Sequence, residues 1–204
     1  MALDRANERK RDSIMPEPPP RKDRPWIYVA LAFLVAWFVF LTFFGPRRHA
    51  RLENSGMSEP APYDWPLKNL DDKPVSFADY RGKTVFLNIW ATWCGPCRSE
   101  MPSIARLADD PRLAKQDIAF VCVATDDDVR MVKSFVDGEC WPMTFLRADR
   151  LPPTFVTEGI PATFIIDPNG KIIATEVGAA DWDEPQVVEL LLKALKAGRT
   201  VPDR

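Results

Sequence analysis

The sequence predicts an α/β domain with a largely buried central sheet over residues 63–197. Within this region, short runs rich in β-branched and aromatic residues alternate with longer segments of helical periodicity. The runs at 83–90 (KTVFLNIW) and 118–124 (IAFVCVA) are apolar almost throughout, which is typical of strands buried on both faces. A chain of 204 residues, 46% hydrophobic, can hold one such domain and some extra segments.

The elements follow in a βαβ pattern. A hairpin is expected over 65–77, with Asp71-Asp72-Lys73 at its middle. Residues 83–90 predict a central strand, 96–108 a helix and 118–124 the next strand. A second helix is expected over 126–136, two strands over 162–166 and 171–176 around Asp167-Pro168-Asn169-Gly170, and a last helix over 184–195. We expect helices to cover both faces of the sheet.

The first 62 residues divide into three segments. Residues 1–25 are polar and proline-rich, which predicts a disordered tail. Residues 26–44 are nineteen residues without a charge, the length of one transmembrane helix. A buried core helix is the alternative, but a helix apolar all round would have no polar face for solvent. A cleaved signal peptide is another, although no small-residue cleavage site follows. Residues 45–62 are then a linker to the domain at 63–204.

The distribution of charge predicts orientation and excludes one class of partner. The tail before the apolar segment carries seven Lys and Arg residues, whereas three Arg residues follow it closely. The tail should therefore stay in the cytoplasm, with the domain on the periplasmic side of the inner membrane. The whole chain has 27 basic against 29 acidic residues, which argues against nucleic-acid binding.

The segment Trp93-Cys94-Gly95-Pro96-Cys97 stands where the central strand ends and a helix begins. Unpaired N–H groups and the helix dipole favour a thiolate at Cys94 there. That thiolate can attack a disulfide, and Cys97, one helical turn on, can resolve the mixed disulfide without any cofactor. Gly95 frees the turn, and Pro96 fits the first helical turn because its missing N–H has no helical partner.

The cysteines have other conceivable uses. A structural zinc site would need two further Cys or His ligands, and His49 is the single histidine of the chain, so we expect no metal. A copper-delivery protein is an alternative, but its Cu(I) site would need a histidine in addition to the two cysteines. The domain after Tyr63 has no histidine. Cys122 is most simply a small buried hydrophobe, and a Cys122–Cys140 bridge is left open.

Three stretches carry a family resemblance. Residues 85–102 (VFLNIWATWCGPCRSEMP), 159–167 (GIPATFIID) and 76–83 (SFADYRGK) resemble the membrane-anchored thioredoxins of the TlpA and ResA type. The likeness covers the chain from about residue 63 onward. It implies a thioredoxin fold, with its mixed sheet and flanking helices, and a thiol-disulfide oxidoreductase.

The same resemblance assigns roles to single residues. It implies a cis peptide bond before Pro161 beside Cys94, leaving the backbone of Ile160 free to pair with substrate. Glu100 is implied in proton transfer and in tuning the thiols, the alternative being a solvated carboxylate on the helix surface. Trp93 is expected to lie against the disulfide and, with Gly95 and Pro96, to shape the substrate-contact surface.

The same resemblance also guides the interpretation of two further residues in these stretches. Asn88 stands where cytoplasmic thioredoxins carry a buried aspartate that handles the proton of the second cysteine, and an asparagine side chain cannot accept that proton. Pro102 matches the proline that kinks the active-site helix.

The leading hypothesis is therefore a reductant of protein disulfides outside the cytoplasm. The Gly-Pro pair between the cysteines is the one found in reducing thioredoxins. Such a reductant needs a membrane thiol donor, and the resemblance makes apocytochrome c a candidate substrate. A disulfide oxidase or isomerase is the alternative enzyme, with a higher reduction potential and a more acidic Cys94.

Overall fold

The computed structural model describes residues 25–44, 49–50, 59–126 and 128–199. Most of the predicted tail and parts of the predicted linker lie outside the described residues. Two compact units follow each other along the chain, Met1–Pro46 and Arg47–Arg204.

The first unit contains helix α1 (Pro25–Phe44), which coincides with the predicted apolar segment. Its side chains are described for residues 26–38. Over the described part of the chain, no helix combines the length and the apolar character that a membrane crossing requires. The predicted transmembrane helix is therefore unconfirmed and stays a prediction.

The second unit holds the remaining regular elements of the described residues. Its strands are β1 (Pro66–Asn69), β2 (Pro74–Ser76), β3 (Thr84–Trp90), β4 (Ile118–Ala124), β5 (Thr144–Arg147), β6 (Ala162–Ile166) and β7 (Ile172–Val177). Its α-helices are α2 (Gly95–Ala108), α3 (Val129–Val136) and α4 (Pro185–Arg199), with short 3₁₀ helices at Phe77–Tyr80 and Pro153–Phe155.

The strands form one mixed sheet in the order β2-β1-β5-β4-β3-β6-β7. β3 runs parallel to β4 and antiparallel to β6, and all seven of its residues are buried. This agrees with the run of apolar residues that predicted a central strand. The carboxyl end of β3 thus lies in the middle of the sheet, and it leads directly into α2.

The three α-helices of this unit contribute their buried apolar residues to a single face of the sheet, as shown by Met101 on α2, Val132 on α3 and Leu191 on α4. The expectation that helices cover both faces is wrong for the α-helices. The connections β3–α2–β4 and β4–α3–β5 step the same way along the sheet, and right-handed crossovers then place both helices on the same face. Aromatic residues of the hairpin and the 3₁₀ helices, including Trp65, Phe77 and Phe155, cover the other face.

Most predicted boundaries are confirmed within one or two residues, and three differences stand out. Helix α3 begins at Val129, not 126, because the Asp128 side chain caps it by accepting a hydrogen bond from the backbone of Arg130. Strand β5 was not predicted. Helix α4 continues four residues beyond the predicted end.

The described parts of the predicted linker contact the domain. His49 forms a parallel bridge with Asp181, and its ring pairs with the Glu184 carboxylate. Further on, the backbone N–H of Ala61 donates to Gly170 O at 2.8 Å. His49 and Ala61, two described residues of the predicted linker, are therefore both anchored to the domain.

Candidate active site

The reactive pair lies at the start of α2, as predicted. Cys94 and Cys97 form a disulfide with an S–S distance of 2.10 Å and a Cα–Cα distance of 5.3 Å. Cys94 is the N-cap of α2, and its sulfur accepts a hydrogen bond from the backbone N–H of Cys97 at 3.1 Å. That donor and the helix dipole would both stabilise negative charge on the Cys94 sulfur once the bond is reduced.

The two sulfurs differ in access. Cys94 is 5% exposed, whereas Cys97, in the first turn of α2, is fully buried. Cys94 is therefore the sulfur that a substrate can reach first, which agrees with its predicted role as the attacking thiol. Pro96 lies in the first turn of α2, where its missing N–H leaves no helical hydrogen bond unmade. Pro102 lies inside the same helix, as predicted.

The loop before β6 approaches the disulfide. The peptide bond between Ile160 and Pro161 is cis, which confirms the prediction from resemblance. The carbonyl oxygen of Ile160 lies 3.7 Å from the Cys94 sulfur. On the outer side, Trp93 is 73% exposed beside the reactive pair, so its ring forms part of the open surface.

Glu100, one turn after Cys97, points inward from α2 and is only 3% exposed. The alternative of a solvated surface carboxylate is therefore wrong. Its Oε1 accepts a hydrogen bond from Asn88 Nδ2 at 2.8 Å. Its Oε2 accepts one from Trp182 Nε1 at 3.0 Å and one from the backbone of Ala180 at 3.2 Å.

Burial raises the pKa of Glu100 from 4.5 to about 7, because water no longer stabilises the charged form. The hydrogen bonds from Trp182, Asn88 and Ala180 act in the opposite direction, and the nearby charge of Glu176 raises the pKa further. A carboxyl group with a pKa near neutrality can both accept and release a proton under ordinary conditions.

A polar row crosses the sheet beneath Glu100. The register places Asn88 between Cys122 on β4 and Thr163 on β6. Asn88 donates through Nδ2 to Thr163 Oγ1 at 2.9 Å, while its own Oδ1 is buried and finds no donor among the described residues. The asparagine amide thus orients Glu100 and takes up no proton, since an amide oxygen is not basic.

The second pair of cysteines is not bonded. Cys122 is a buried free thiol and Cys140 an exposed one, so the bridge left open from the sequence is wrong. Burial raises the pKa of Cys122, with a further contribution from the charge of Glu100, and keeps it protonated. Among the described residues no group of three or more His, Cys, Asp or Glu side chains could hold a metal ion.

Two residues near the site were not predicted. Trp182, between β7 and α4, reaches Glu100 from a loop that no local pattern connects with α2. Asp126 accepts hydrogen bonds from Thr92, two residues before Cys94. This second contact could have been anticipated, because Asp126 follows a strand predicted to lie beside the central one, and the carboxyl ends of parallel strands share one edge of a sheet.

Comparison with known proteins supports this description. Residues 57–191 match the redoxin family. The thiol-disulfide oxidoreductase ResA of Geobacillus thermodenitrificans is 36% identical over 111 residues, covering 53% of this chain and 63% of that protein, which is less than two thirds of its length. The ResA of Geobacillus kaustophilus is 30% identical over 151 residues, covering 73% of this chain and 82% of that protein.

Solved structures agree on the fold. A thiol:disulfide interchange protein of the thioredoxin family from Chlorobium tepidum superimposes with a TM-score of 0.51 and 28% identity, covering 66% of this chain and 97% of that one. The thioredoxin domain of a thiol-disulfide oxidoreductase from Bacteroides vulgatus gives a TM-score of 0.56 at 20% identity, covering 67% and 95%. The predicted thioredoxin fold is thus confirmed.

Proposed function

This chain belongs to the redoxin family and is a thiol-disulfide oxidoreductase, and we propose that it reduces protein disulfides outside the cytoplasm through Cys94 and Cys97. One observation carries the roles of the two thiols in this proposal, and the Gly-Pro pair between them supports the reducing direction. The sulfur of Cys94 caps α2 within 3.1 Å of the Cys97 N–H, while the sulfur of Cys97 is buried behind it. The pair is thus arranged for attack by the first thiol and resolution by the second.

The proposed reaction moves two electrons to the substrate. The Cys94 thiolate attacks one sulfur of the substrate disulfide, that S–S bond breaks, and the other substrate sulfur leaves as a thiolate that takes up a proton. The Cys97 thiol then loses its proton and attacks the Cys94 sulfur. This second step breaks the mixed disulfide, releases the second substrate thiol and closes the Cys94–Cys97 bond.

Glu100 is the proposed acceptor for the proton that Cys97 gives up. It lies one turn along α2 from Cys97, and its pKa of about 7 allows proton exchange at neutral pH. A bulk base would have difficulty reaching this place, because Cys97 and Glu100 are both buried. Trp93, Gly95, Pro96, Ile160 and Pro161 are the proposed substrate contacts around the reactive sulfur.

We further propose that residues 26–44 tether the domain to the inner membrane with the domain in the periplasm. The apolar, uncharged sequence and the excess of basic residues before it support this arrangement. The exposed thiol of Cys140 offers a test. In intact cells a membrane-impermeant maleimide should label Cys140, and a Cys140→Ser variant controls for other thiols. Labelling only after lysis would place the domain in the cytoplasm.

Apocytochrome c is the proposed substrate and a membrane thiol protein the proposed electron donor. A Cys97→Ser variant can form the mixed disulfide but cannot resolve it, so partners should accumulate as covalent complexes. The matched Cys94→Ser variant should trap none from the substrate side. Recovery of complexes that contain no c-type apocytochrome would remove this substrate from the proposal.

The direction of electron flow is tested by the thiol state of the pair in growing cells. Acid quenching followed by alkylation and mass mapping should find Cys94 and Cys97 mostly reduced while electrons are supplied. Cys140, an exposed free thiol, serves in each sample as the internal reference for complete alkylation. A pair that is oxidised in growing cells and becomes reduced only when substrate thiols accumulate would instead support a disulfide oxidase.

A further inference from the structure

Asp126 is a buried carboxylate, 6% exposed, at the edge of the sheet where the reactive loop lies. Its two oxygens accept the backbone N–H of Thr92 at 3.0 and 3.2 Å. The Thr92 hydroxyl also donates to Asp126 Oδ1. Both hydrogen-bond donors of Thr92, its backbone N–H and its hydroxyl, are therefore held by one carboxylate. Burying a carboxylate is costly unless it is hydrogen-bonded, so this arrangement fixes both partners.

The topology explains why these residues meet. The parallel register of β3 and β4 ends at Trp90 and Ala124. Thr125 ties the two ends together, since its N–H donates to Trp90 O at 2.9 Å. Thr92 and Asp126 each lie two residues beyond the last register pair. They leave the sheet at the same level, and the aspartate side chain spans the gap between them.

Thr92 lies inside the turn that delivers the reactive cysteine. The turn is closed by the Cys94 N–H, which donates to Ala91 O at 3.2 Å, and Cys94 then caps α2. We propose that Asp126 is a positioning residue for Cys94: by holding the N–H and hydroxyl of Thr92 it fixes the turn that aims the Cys94 sulfur at the start of α2. The proposal rests on Cys94 being the attacking thiol.

Position matters because the stabilisation of the thiolate depends on close contact. The Cys94 sulfur gains from the Cys97 N–H and the end of the helix only while it stays within hydrogen-bond distance of them. After reduction the S–S bond no longer holds the sulfur there, and the backbone of the turn must do so. The rate of a reaction falls steeply when a reacting group is displaced by even a small distance from its productive position.

The charge of Asp126 and its positioning role predict opposite effects. A nearby negative charge disfavours a thiolate, so a role through charge alone predicts that removing the carboxylate makes Cys94 more reactive. A positioning role predicts that losing the hydrogen bonds makes Cys94 less reactive. Thr92→Val separates the two, because it removes the hydroxyl donor and leaves the carboxylate in place.

The experiment uses the reduced full chain and measures iodoacetamide alkylation of Cys94 by mass mapping across pH. Cys140 is an exposed thiol in the same molecule and reports the reactivity of an ordinary thiol. The variants are Asp126→Ala, Asp126→Asn, Thr92→Val and Thr92→Ser. Asp128→Asn is the matched control, because Asp128 caps α3 and pairs with Arg130. Thermal stability is recorded for each variant.

We expect Cys94 alkylation near pH 7 to slow about tenfold in Asp126→Ala and about fivefold in Thr92→Val. Asp126→Asn should be intermediate, and Thr92→Ser and Asp128→Asn should equal the parent. The double variant Thr92→Val/Asp126→Ala should be no slower than Asp126→Ala alone, since both changes break the same contact. Thr92→Val retains the test if Asp126→Ala does not fold.

Three results would overturn the proposal. In the first, Thr92→Val and Asp126→Ala melt earlier but alkylate Cys94 with the parent pH profile, so that Asp126 only stabilises the fold. In the second, alkylation of Cys94 becomes faster in Asp126→Asn and is unchanged in Thr92→Val, so that Asp126 acts through its charge. In the third, the effects of the two single changes on the rate of Cys94 alkylation add fully in the double variant, so that the two residues act independently. A parent protein in which Cys94 reacts no faster than Cys140 would count against the proposed attacking thiol itself.

Discussion

Replacing Glu100 with glutamine removes a buried ionisable group and should change how the stability of the fold depends on pH. In the folded protein the pKa of Glu100 is raised from 4.5 to about 7, mainly by burial. Between these values the folded state holds a proton on Glu100 that the unfolded state has released. The contribution of the protonated group is complete below about pH 4.5 and is lost as the pH rises through about 7.

The magnitude follows from the two pKa values. One pKa unit corresponds to about 1.4 kcal/mol, so the change from 4.5 to about 7 amounts to about 3 kcal/mol. Glutamine has the same shape and no charge to lose. The Asn88 Oδ1 atom has no donor in the parent protein. If the Asn88 amide rotates, this oxygen can accept a hydrogen bond from the side-chain N–H₂ group of the new glutamine. Glu100→Gln should therefore fold, and its stability should not share this loss.

The assay is urea unfolding of the oxidised parent and Glu100→Gln proteins from pH 4.5 to 8. We expect the free energy of unfolding of the variant, minus that of the parent, to increase by about 3 kcal/mol over this range. Subtraction removes titrations that the two proteins share. A flat difference would mean that Glu100 ionises like an exposed carboxylate, and a difference that decreases with pH would refute the stated cause of its pKa.

Four further results are expected. Trp182→Phe keeps an aromatic ring but removes the 3.0 Å indole N–H donor to Glu100, so carbon-13 NMR of the carboxyl should show the pKa of Glu100 rising by about one unit; an unchanged pKa would contradict the contact. Cys97→Ser should accumulate mixed disulfides that Cys94→Ser does not. Trp93→Ala should raise KM with little change in kcat, as expected for an exposed contact; a loss confined to kcat would argue otherwise. The native protein should expose Cys140 but not Cys122 to alkylation.

The fold was largely predictable because its central elements have strong local patterns. The apolar runs of β3 and β4 and the strand-to-helix position of Cys94 indicate a βαβ unit without further information. Strand β5 was missed because its four residues alternate poorly between buried and exposed positions. Its place in the sheet is decided by pairing with β4 and β1, which no local pattern reveals.

The site was predictable where one segment supplies its parts. Cys94 and Cys97 follow from one local motif, and the cis bond before Pro161 follows from the family resemblance of residues 159–167. The burial of Glu100 does not, because the residues that bury it come from a loop eighty residues further along the chain. The role of Asp126 depends on the level at which β3 and β4 end. Such long-range contacts are set by tertiary packing and not by periodicity.

The Cys94–Cys97 pair is proposed to be a reductant, and its reduction potential tests this role most directly. The protein is equilibrated in dithiothreitol or glutathione buffers of known potential, and alkylated thiols are counted by mass, with Cys94→Ser assigning the pair. A potential below roughly −230 mV is the predicted result, because a donor across the membrane can then keep the pair reduced. A potential above roughly −150 mV would contradict the account and identify an oxidase.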